Sequence, residues 1–284
     1  MIVLAAALGA AALPAQSQGD AKRGAYLAKA GGCLGCHTEE KKGATQYAGG
    51  RALKTPFGTF YGPNITPHPQ AGIGRWTEAD FLRALRHGKR PDGANYFPAF
   101  PYPSFTAITD GDAKDLWAFL RSLPPNAQPS REHELGFLYR WRFLVTIWKW
   151  LFFKPGPFSN IAGASDVVNR GAYLTQALGH CGECHTPRNF LGAPRRDRFL
   201  AGGMGPEGKG VPNLTPTKLK KWSDGELAEF LTTGNTPDGD SPAEAMGEVI
   251  TNTTSKLTPQ DLAAMIAYLR SLAPLPDEKS EKKK

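Results

Sequence analysis

One five-residue pattern occurs twice in this chain of 284 residues and uses all four of its cysteines. The pattern, Cys-x-x-Cys-His, is the attachment site of c-type haem: both thiols bond to the porphyrin, and the histidine binds the iron. We therefore predict two covalently bound haem c groups. The six side chains that would hold them are Cys33, Cys36 and His37 in the first copy, and Cys181, Cys184 and His185 in the second.

Other uses of a Cys-x-x-Cys pair explain this sequence less well. A thioredoxin-like redox pair does not need a histidine at the next position. A four-cysteine zinc site normally has about 15–20 residues between its two pairs, whereas here the pairs are separated by residues 37–180. A disulfide within each pair would leave the repeated histidine without a role.

The segments around the two strings are also repeated, in the same order. The matching segments are 23–27 with 170–174, 63–67 with 212–216, 76–78 with 222–224, 91–93 with 237–239, and 120–123 with 269–272. This order indicates an internal duplication. The predicted divisions are domain one at 19–127, a linker at 128–164, domain two at 165–275 and a disordered tail at 276–284.

Hydrophobic spacing predicts that the domains are helical, so the expected fold class is all-α. The final helix of domain two would begin at Thr258, which precedes a proline and an acidic residue in a capping-box-like string. Apolar residues then follow at the spacing of one helix face: Leu262, Met265, Ile266 and Leu269. Ser223, with Glu226 three residues later, is a second predicted N-cap.

These motifs resemble those of bacterial diheme cytochromes c, and they are similar to the cytochrome subunits of membrane-bound alcohol and gluconate dehydrogenases. The resemblance rests on Arg-Gly-x-Tyr-Leu, Cys-x-x-Cys-His, Pro-Asn-Ile/Leu-Thr-Pro, Pro-Asp-Gly and the Ala-Tyr-Leu-Arg-Ser-Leu ending at 267–272. Those subunits carry three haem motifs, so this chain is not expected to be a full-length equivalent. The resemblance implies tandem class I cytochrome c domains and electron transfer, without naming the electron donor.

In class I cytochromes, a methionine before the last helix usually binds the far side of the iron and raises its reduction potential. Met246 is the predicted ligand in domain two, because it falls in the expected loop between Pro-Asp-Gly and the last helix. Met204 comes too early in the sequence, and Met265 belongs to the apolar face of the last helix.

Domain one contains no methionine, and Phe100 stands approximately where Met246 stands in domain two. Three alternatives follow for its iron: a histidine ligand, an open or weakly ligated position, or an unexpected protein group. His87 is the preferred histidine, and His68 is the other candidate. A histidine ligand would lower the potential of haem one relative to haem two.

The linker contains a segment, residues 137–153, that is dense in aromatic and aliphatic side chains and also carries three cations. It is too short and too charged to span a membrane. The preferred hypothesis is an amphipathic helix that packs between the two domains and covers both cores. The alternative is an interfacial helix that makes peripheral contact with a membrane.

The N-terminus predicts export. Residues 1–15 are apolar and lack charged side chains, and Ala-Leu-Pro-Ala at 12–15 resembles a signal-peptidase site. We therefore predict a signal peptide at 1–18 and a location in the periplasm, the compartment in which c-type haem is attached. Membrane association is the alternative that this location leaves open. The net charge of +8 suits an acidic partner or an anionic membrane. The basic residues do not form the aromatic-interleaved stripe of a nucleic-acid-binding protein.

The main functional hypothesis is an electron carrier between a dehydrogenase or quinol-oxidising complex and a terminal oxidase or another cytochrome. An enzyme of the peroxidase or thiosulfate dehydrogenase kind, with an accessible haem in domain one, is the first alternative. The thiosulfate enzymes use an additional cysteine, and none is present here. A cytochrome subunit that tethers a membrane complex is the second alternative.

Overall fold

The computed structural model describes residues 19–205, 209–240, 242 and 244–277. The predicted signal peptide and residues 278–284 of the predicted tail therefore lie outside the described residues. Domain one contains α1 (Ala21–Ala30), α2 (Cys33–His37), β1 (Ala52–Thr55), β2 (Gly58–Tyr61), α3 (Glu78–His87), α4 (Tyr102–Phe105) and α5 (Asp110–Ser122). The segment predicted as the linker contains β3 (Glu134–Leu135), a 3-10 turn (Phe137–Arg140) and α6 (Arg142–Phe152).

Domain two repeats the same order of helices. Its elements are α7 (Asp166–Tyr173), α8 (Gly182–His185), β4 (Gly203–Met204), β5 (Gly210–Val211), α9 (Pro216–Leu219), α10 (Asp224–Thr233), α11 (Glu244–Asn252) and α12 (Pro259–Ser271). A π-helical turn at Leu174–Leu178 extends α7. The described residues are mainly helical, as expected for tandem class I cytochrome c domains.

The predicted helix starts are confirmed. Ser223 accepts a hydrogen bond from the backbone of Glu226, and the Glu226 carboxylate accepts one from the backbone of Ser223. Thr258 accepts from the backbone of Asp261 at the start of α12. Thr77 forms the corresponding capping box at the start of α3 in domain one. Because these bonds satisfy exposed N–H groups in the first turn, local sequence is enough to locate them.

A small antiparallel sheet adds to the helices. Strands β1 and β2 form a hairpin, and β3 pairs with β2 through Gly58–Leu135 and Thr59–Glu134. The segment predicted as the linker thus begins by adding a strand to the sheet of domain one.

The Arg-Gly-x-Tyr-Leu motif brings the first and last helices of each domain together. A Cβ atom on Gly24 would lie 1.9 Å from the carbonyl oxygen of Asp115, and one on Gly171 would lie 1.8 Å from that of Ala264. Only glycine therefore permits α1 to approach α5, and α7 to approach α12, this closely. Beside each glycine, the motif's arginine pairs with acidic residues of the last helix of its own domain.

The motif's tyrosine reaches the other domain. Tyr26 of domain one donates to Asp261 of domain two (2.6 Å) and accepts from the backbone of Thr258 (3.2 Å). Tyr173 of domain two donates to Asp112 of domain one (2.5 Å). The domains therefore contact each other through two equivalent hydrogen bonds running in opposite directions.

The main apolar core crosses the same interface. It includes Leu27 and Ala30 of α1 together with Leu174 and Leu178 from the π-helical turn, all nearly inaccessible to solvent. Met265 of α12 belongs to this cluster, which agrees with its assignment to the core. The two domains consequently share a core.

The expectation that residues 137–153 pack between the domains and cover both cores is wrong. On α6 only Val145 is buried, and most of the large apolar side chains of the segment are exposed. The interface that they were expected to fill is occupied by α1, the π-helical turn and α12. Among the described residues, no helix combines the length and apolar character needed to cross a bilayer.

Candidate haem-binding sites

The two Cys-x-x-Cys-His strings occupy equivalent positions. The first forms α2, and in the second Cys181 is the residue that precedes α8. Each string follows a residue in the left-handed backbone region, Gly32 (φ 62°) in domain one and His180 (φ 39°) in domain two. The Nδ1 of His180 donates to the carbonyl of Leu178 (2.8 Å), which supports this conformation.

Both iron-binding candidates are oriented in the same way. His37 Nδ1 lies 2.7 Å from the carbonyl oxygen of Pro63, and His185 Nδ1 lies 2.8 Å from that of Pro212. A carbonyl can only accept, so Nδ1 carries the proton and Nε2 keeps its lone pair for a metal. Burial lowers the pKa of both histidines, which favours the neutral form that binds iron.

The two prolines come from the repeated Pro-Asn-x-Thr-Pro segment, whose role the sequence did not reveal. Within it, buried Asn64 donates to the carbonyl of Asn126 (2.8 Å) and accepts from the backbone of Thr66 (2.9 Å). Buried Asn213 donates in the same way to the carbonyl of Leu275 (2.8 Å). Each asparagine thus ties the loop that orients a histidine to the chain just after the last helix of its domain.

The two attachment segments lie near one another across the domain interface. A Cβ atom on Gly32, just before the first string, would lie 3.9 Å from Cε1 of His180, just before the second. Helix α4 of domain one also contacts the second segment, where the ring of Phe105 is 5.3 Å from that of His180 and Ser104 donates to Glu183 (3.0 Å). The structure therefore brings the two predicted sites together, although they are far apart in sequence.

In domain two, the three methionines have different surroundings. Met246 lies on α11 rather than in a loop, and it is partly buried against the cluster that contains Leu227 and Leu231. Met265 is buried in the main core, and Met204 is 59% exposed on β4. Met246 as the sixth ligand of the second iron stays a prediction.

In domain one, Phe100 occupies an aromatic environment. Its ring lies 5.3 Å from that of Tyr96 and 5.7 Å from that of Phe105, and it packs against the core cluster that also contacts Cys33. At the position equivalent to Met246, domain one therefore offers an apolar ring in place of a thioether.

The two histidine candidates of domain one lie at the surface of α3 and in a loop. His87 is exposed, its carbonyl accepts from Lys149, and it borders a surface cavity of about 410 Å³ with Arg83 and Trp150. The Nδ1 of His68 accepts a hydrogen bond from the backbone of Ala71 (3.0 Å). The lone pair of Nδ1 is therefore in use, and Nε2 carries the proton of the neutral ring, so neither nitrogen has a free lone pair for iron. His87 as the iron ligand of domain one stays a prediction.

The donor set fits haem c in both domains. In each, two thiols and an imidazole lie within about one helical turn, and the imidazole presents a free Nε2 lone pair. Cys33, Cys36 and His37 would hold one group, and Cys181, Cys184 and His185 the other, with the apolar clusters beside Cys33 and Cys181 available to pack against a porphyrin.

Comparison with known proteins agrees with this assignment. The family model for cytochrome c matches residues 21–124 and again residues 168–273. A protein described as diheme cytochrome c-type from Cereibacter sphaeroides is 46% identical over 257 residues, which cover 89% of this chain and 86% of that protein.

Two dehydrogenase subunits are also similar. The cytochrome c subunit of alcohol dehydrogenase (quinone) from Gluconacetobacter polyoxogenes is 39% identical, with 90% of this chain and 56% of the subunit covered. The gluconate 2-dehydrogenase cytochrome c subunit from Pantoea cypripedii is 36% identical, with 95% and 64% covered. This chain therefore spans less than two thirds of either subunit. The chain belongs to the cytochrome c family, and it carries two covalently bound haem c groups.

Proposed function

We propose that this cytochrome accepts single electrons from a dehydrogenase or a quinol-oxidising complex in the periplasm and passes them to a terminal oxidase or another cytochrome. The supporting observation is that two equivalent haem sites adjoin one shared core. Haem c supplies reversible one-electron oxidation and reduction when bound. Two of the similar chains are cytochrome subunits of dehydrogenases. A dehydrogenase is therefore the preferred electron donor.

The residues of the chain fix the relative positions of the two sites. Around the attachment segments, Arg51 of domain one pairs with Glu248 of domain two (2.7 Å), in addition to the Ser104–Glu183 hydrogen bond. The shared core and the reciprocal tyrosine bonds lie next to these contacts. A fixed, short separation favours electron exchange within the molecule over exchange between molecules.

The proposed direction is from domain one to domain two. A thioether ligand stabilises reduced iron and raises the potential, and Met246 provides one in domain two. Phe100 provides none in domain one. The difference between these two positions would make internal transfer downhill.

A potentiometric titration of the holoprotein tests this direction. We expect two one-electron steps, with the haem that shows the long-wavelength ferric charge-transfer band of methionine ligation reduced first, at the higher potential. If the other haem is reduced first, the proposed direction is wrong. Cyanide binding to oxidised domain one would reveal an open iron and shift the assignment towards the enzyme alternative.

The matched substitutions Asn64→Ala and Asn213→Ala test the loops that orient the proximal histidines. Each removes buried hydrogen bonds and leaves buried backbone groups unsatisfied, so we expect a loss of roughly 2–3 kcal/mol in the free energy of unfolding. We also expect Asn64→Ala to perturb the spectrum of haem one, and Asn213→Ala that of haem two. Urea unfolding with resonance Raman spectroscopy measures both effects.

Asn160→Ala, at an exposed position, serves as the control for the loss of an asparagine side chain. If Asn64→Ala perturbed both haems equally, the proposed separate anchoring of the two loops would be contradicted.

A further inference from the structure

A group of exposed apolar side chains that the haem sites do not use lies on the outside of the molecule. We call it the aromatic face, and it is formed by Phe137, Leu138, Trp141, Phe143, Ile147, Trp150, Leu151 and Phe190. Three of its rings are largely open to solvent: Phe137 is 71% exposed, Trp150 81% and Phe190 93%. Groups of large exposed apolar side chains mark interaction surfaces in soluble domains.

The aromatic face is held by both domains. The indole N–H of Trp148 donates to the carbonyl of Leu191 in domain two (3.1 Å). On the other side of α6, the Asn95 side chain of domain one donates to Thr146 (2.7 Å). These bonds attach α6 to both domains and leave Trp150 and Phe190 exposed.

The segment that carries most of the aromatic face is rich in cations. Residues 136–165 contain no aspartate or glutamate. Of their four cations, Arg140 and Lys154 are exposed, whereas Arg142 and Lys149 bond to Asn95 of domain one. Exposed Arg196 adds a cation from domain two, where it donates to the carbonyl of Phe152 (3.2 Å). A surface of this kind is complementary to a negatively charged plane.

We propose that the aromatic face docks the cytochrome onto the surface of an anionic phospholipid bilayer, with α6 lying in the plane of the headgroups. Tryptophan and tyrosine side chains favour this region, and cations beside them pair with lipid phosphates. At 11 residues, α6 is long enough to lie on a bilayer and too short to span one. An acidic protein surface would match the cations, but it would not cover the apolar side chains as the hydrocarbon region of a bilayer does.

Docking through both α6 and domain two also fixes the orientation of the protein on the membrane. Because Trp150 belongs to α6 and Phe190 follows the second attachment site, insertion of both rings prevents free rotation about a single anchor. Each haem site would then hold a constant position relative to the membrane. This inference is independent of the proposed electron route, since it concerns where the molecule sits.

Vesicle flotation of the purified holoprotein tests the proposal. We expect the protein to float with vesicles of phosphatidylglycerol and phosphatidylcholine, and to bind at least tenfold more weakly to phosphatidylcholine alone. Trp150→Glu and Phe190→Glu should each weaken binding at least tenfold. Val167→Glu, which places the same charge at another exposed apolar position, should leave binding unchanged. Haem absorbance shows that each variant is folded.

Two results would overturn the proposal. One is binding to anionic vesicles that neither Trp150→Glu nor Phe190→Glu reduces. The other is an absence of binding to anionic vesicles, whether or not sedimentation equilibrium detects a dimer that Trp150→Glu dissociates. Such a dimer would assign the aromatic face to a second copy of the chain.

Discussion

The double substitution Tyr26→Phe with Tyr173→Phe is expected to lower the free energy of unfolding by about 3–6 kcal/mol, since each lost bond to a carboxylate contributes roughly 1.5–3 kcal/mol. The two bonds are equivalent and join the domains in opposite directions. Each single substitution should give about half of the loss. Urea unfolding followed by far-ultraviolet circular dichroism measures it.

Tyr139→Phe is the matched control, because this tyrosine is exposed on the aromatic side of the linker segment. If it cost as much as Tyr26→Phe, the effect would not come from the domain interface. The double variant should also show separate unfolding of the domains, because the shared core would have lost the polar contacts that align it.

The effect should depend on pH in a defined direction. Burial opposes the charge on Asp261, but hydrogen bonds from Arg170 and Tyr26 outweigh it and hold the pKa of this carboxyl below its usual range. The stabilisation is therefore complete above the unfolded-state pKa of about 4 and is lost as pH falls through the lower folded-state pKa. The stability difference between wild type and Tyr26→Phe should narrow in that acid range.

The second prediction concerns the far side of each iron. Met246→Ala is expected to abolish the charge-transfer band of methionine ligation and to lower the potential of haem two by on the order of 0.1 V, within the roughly 0.8 V that axial ligands span. Phe100→Met is the reciprocal experiment, because it places a thioether at the equivalent position of domain one. It should raise the potential of haem one.

Met204→Ala serves as the control, since this side chain is exposed on β4. If the charge-transfer band survived Met246→Ala and disappeared in Met265→Leu, the ligand would be the buried methionine of α12. That outcome would contradict the assignment made from the sequence.

The features that local sequence predicted are those whose physical cause is local. The helix starts at Ser223 and Thr258 are decided by a side chain and a backbone N–H three residues away. The Cys-x-x-Cys-His strings are equally local, because attachment needs two thiols and an imidazole at a fixed spacing. Duplication then extended each prediction from one domain to the other.

The features that sequence did not reveal depend on pairing between distant segments. Nothing in Pro-Asn-Ile-Thr-Pro shows that the carbonyl of Pro63 accepts a hydrogen bond from His37, 26 residues earlier. Asp112 and Asp261 stand at the same position of the two last helices. The sequence does not show that Tyr26 bonds to Asp261 of the other domain and not to Asp112 of its own. A repeated motif offers both pairings, and only tertiary packing chooses between them.

The prediction that α6 packs between the domains was wrong for a related reason. Its apolar spacing indicates a face that needs a cover, but spacing cannot identify what covers it. The space between the domains is filled by α1 and the π-helical turn instead. The apolar side of α6 is left open, while polar bonds from Asn95 hold its other side.

The reciprocal tyrosine bonds have a consequence for how such a chain could arise. An interface in which the same patch of each half contacts the other is that of a twofold symmetric homodimer. A single-domain ancestor carrying Tyr26 and Asp112 could have paired with itself through the contacts seen here between two halves of one polypeptide. Gene fusion would then have preserved a dimer already in place. Phe100 and Met246 would then mark a position at which the two copies later diverged.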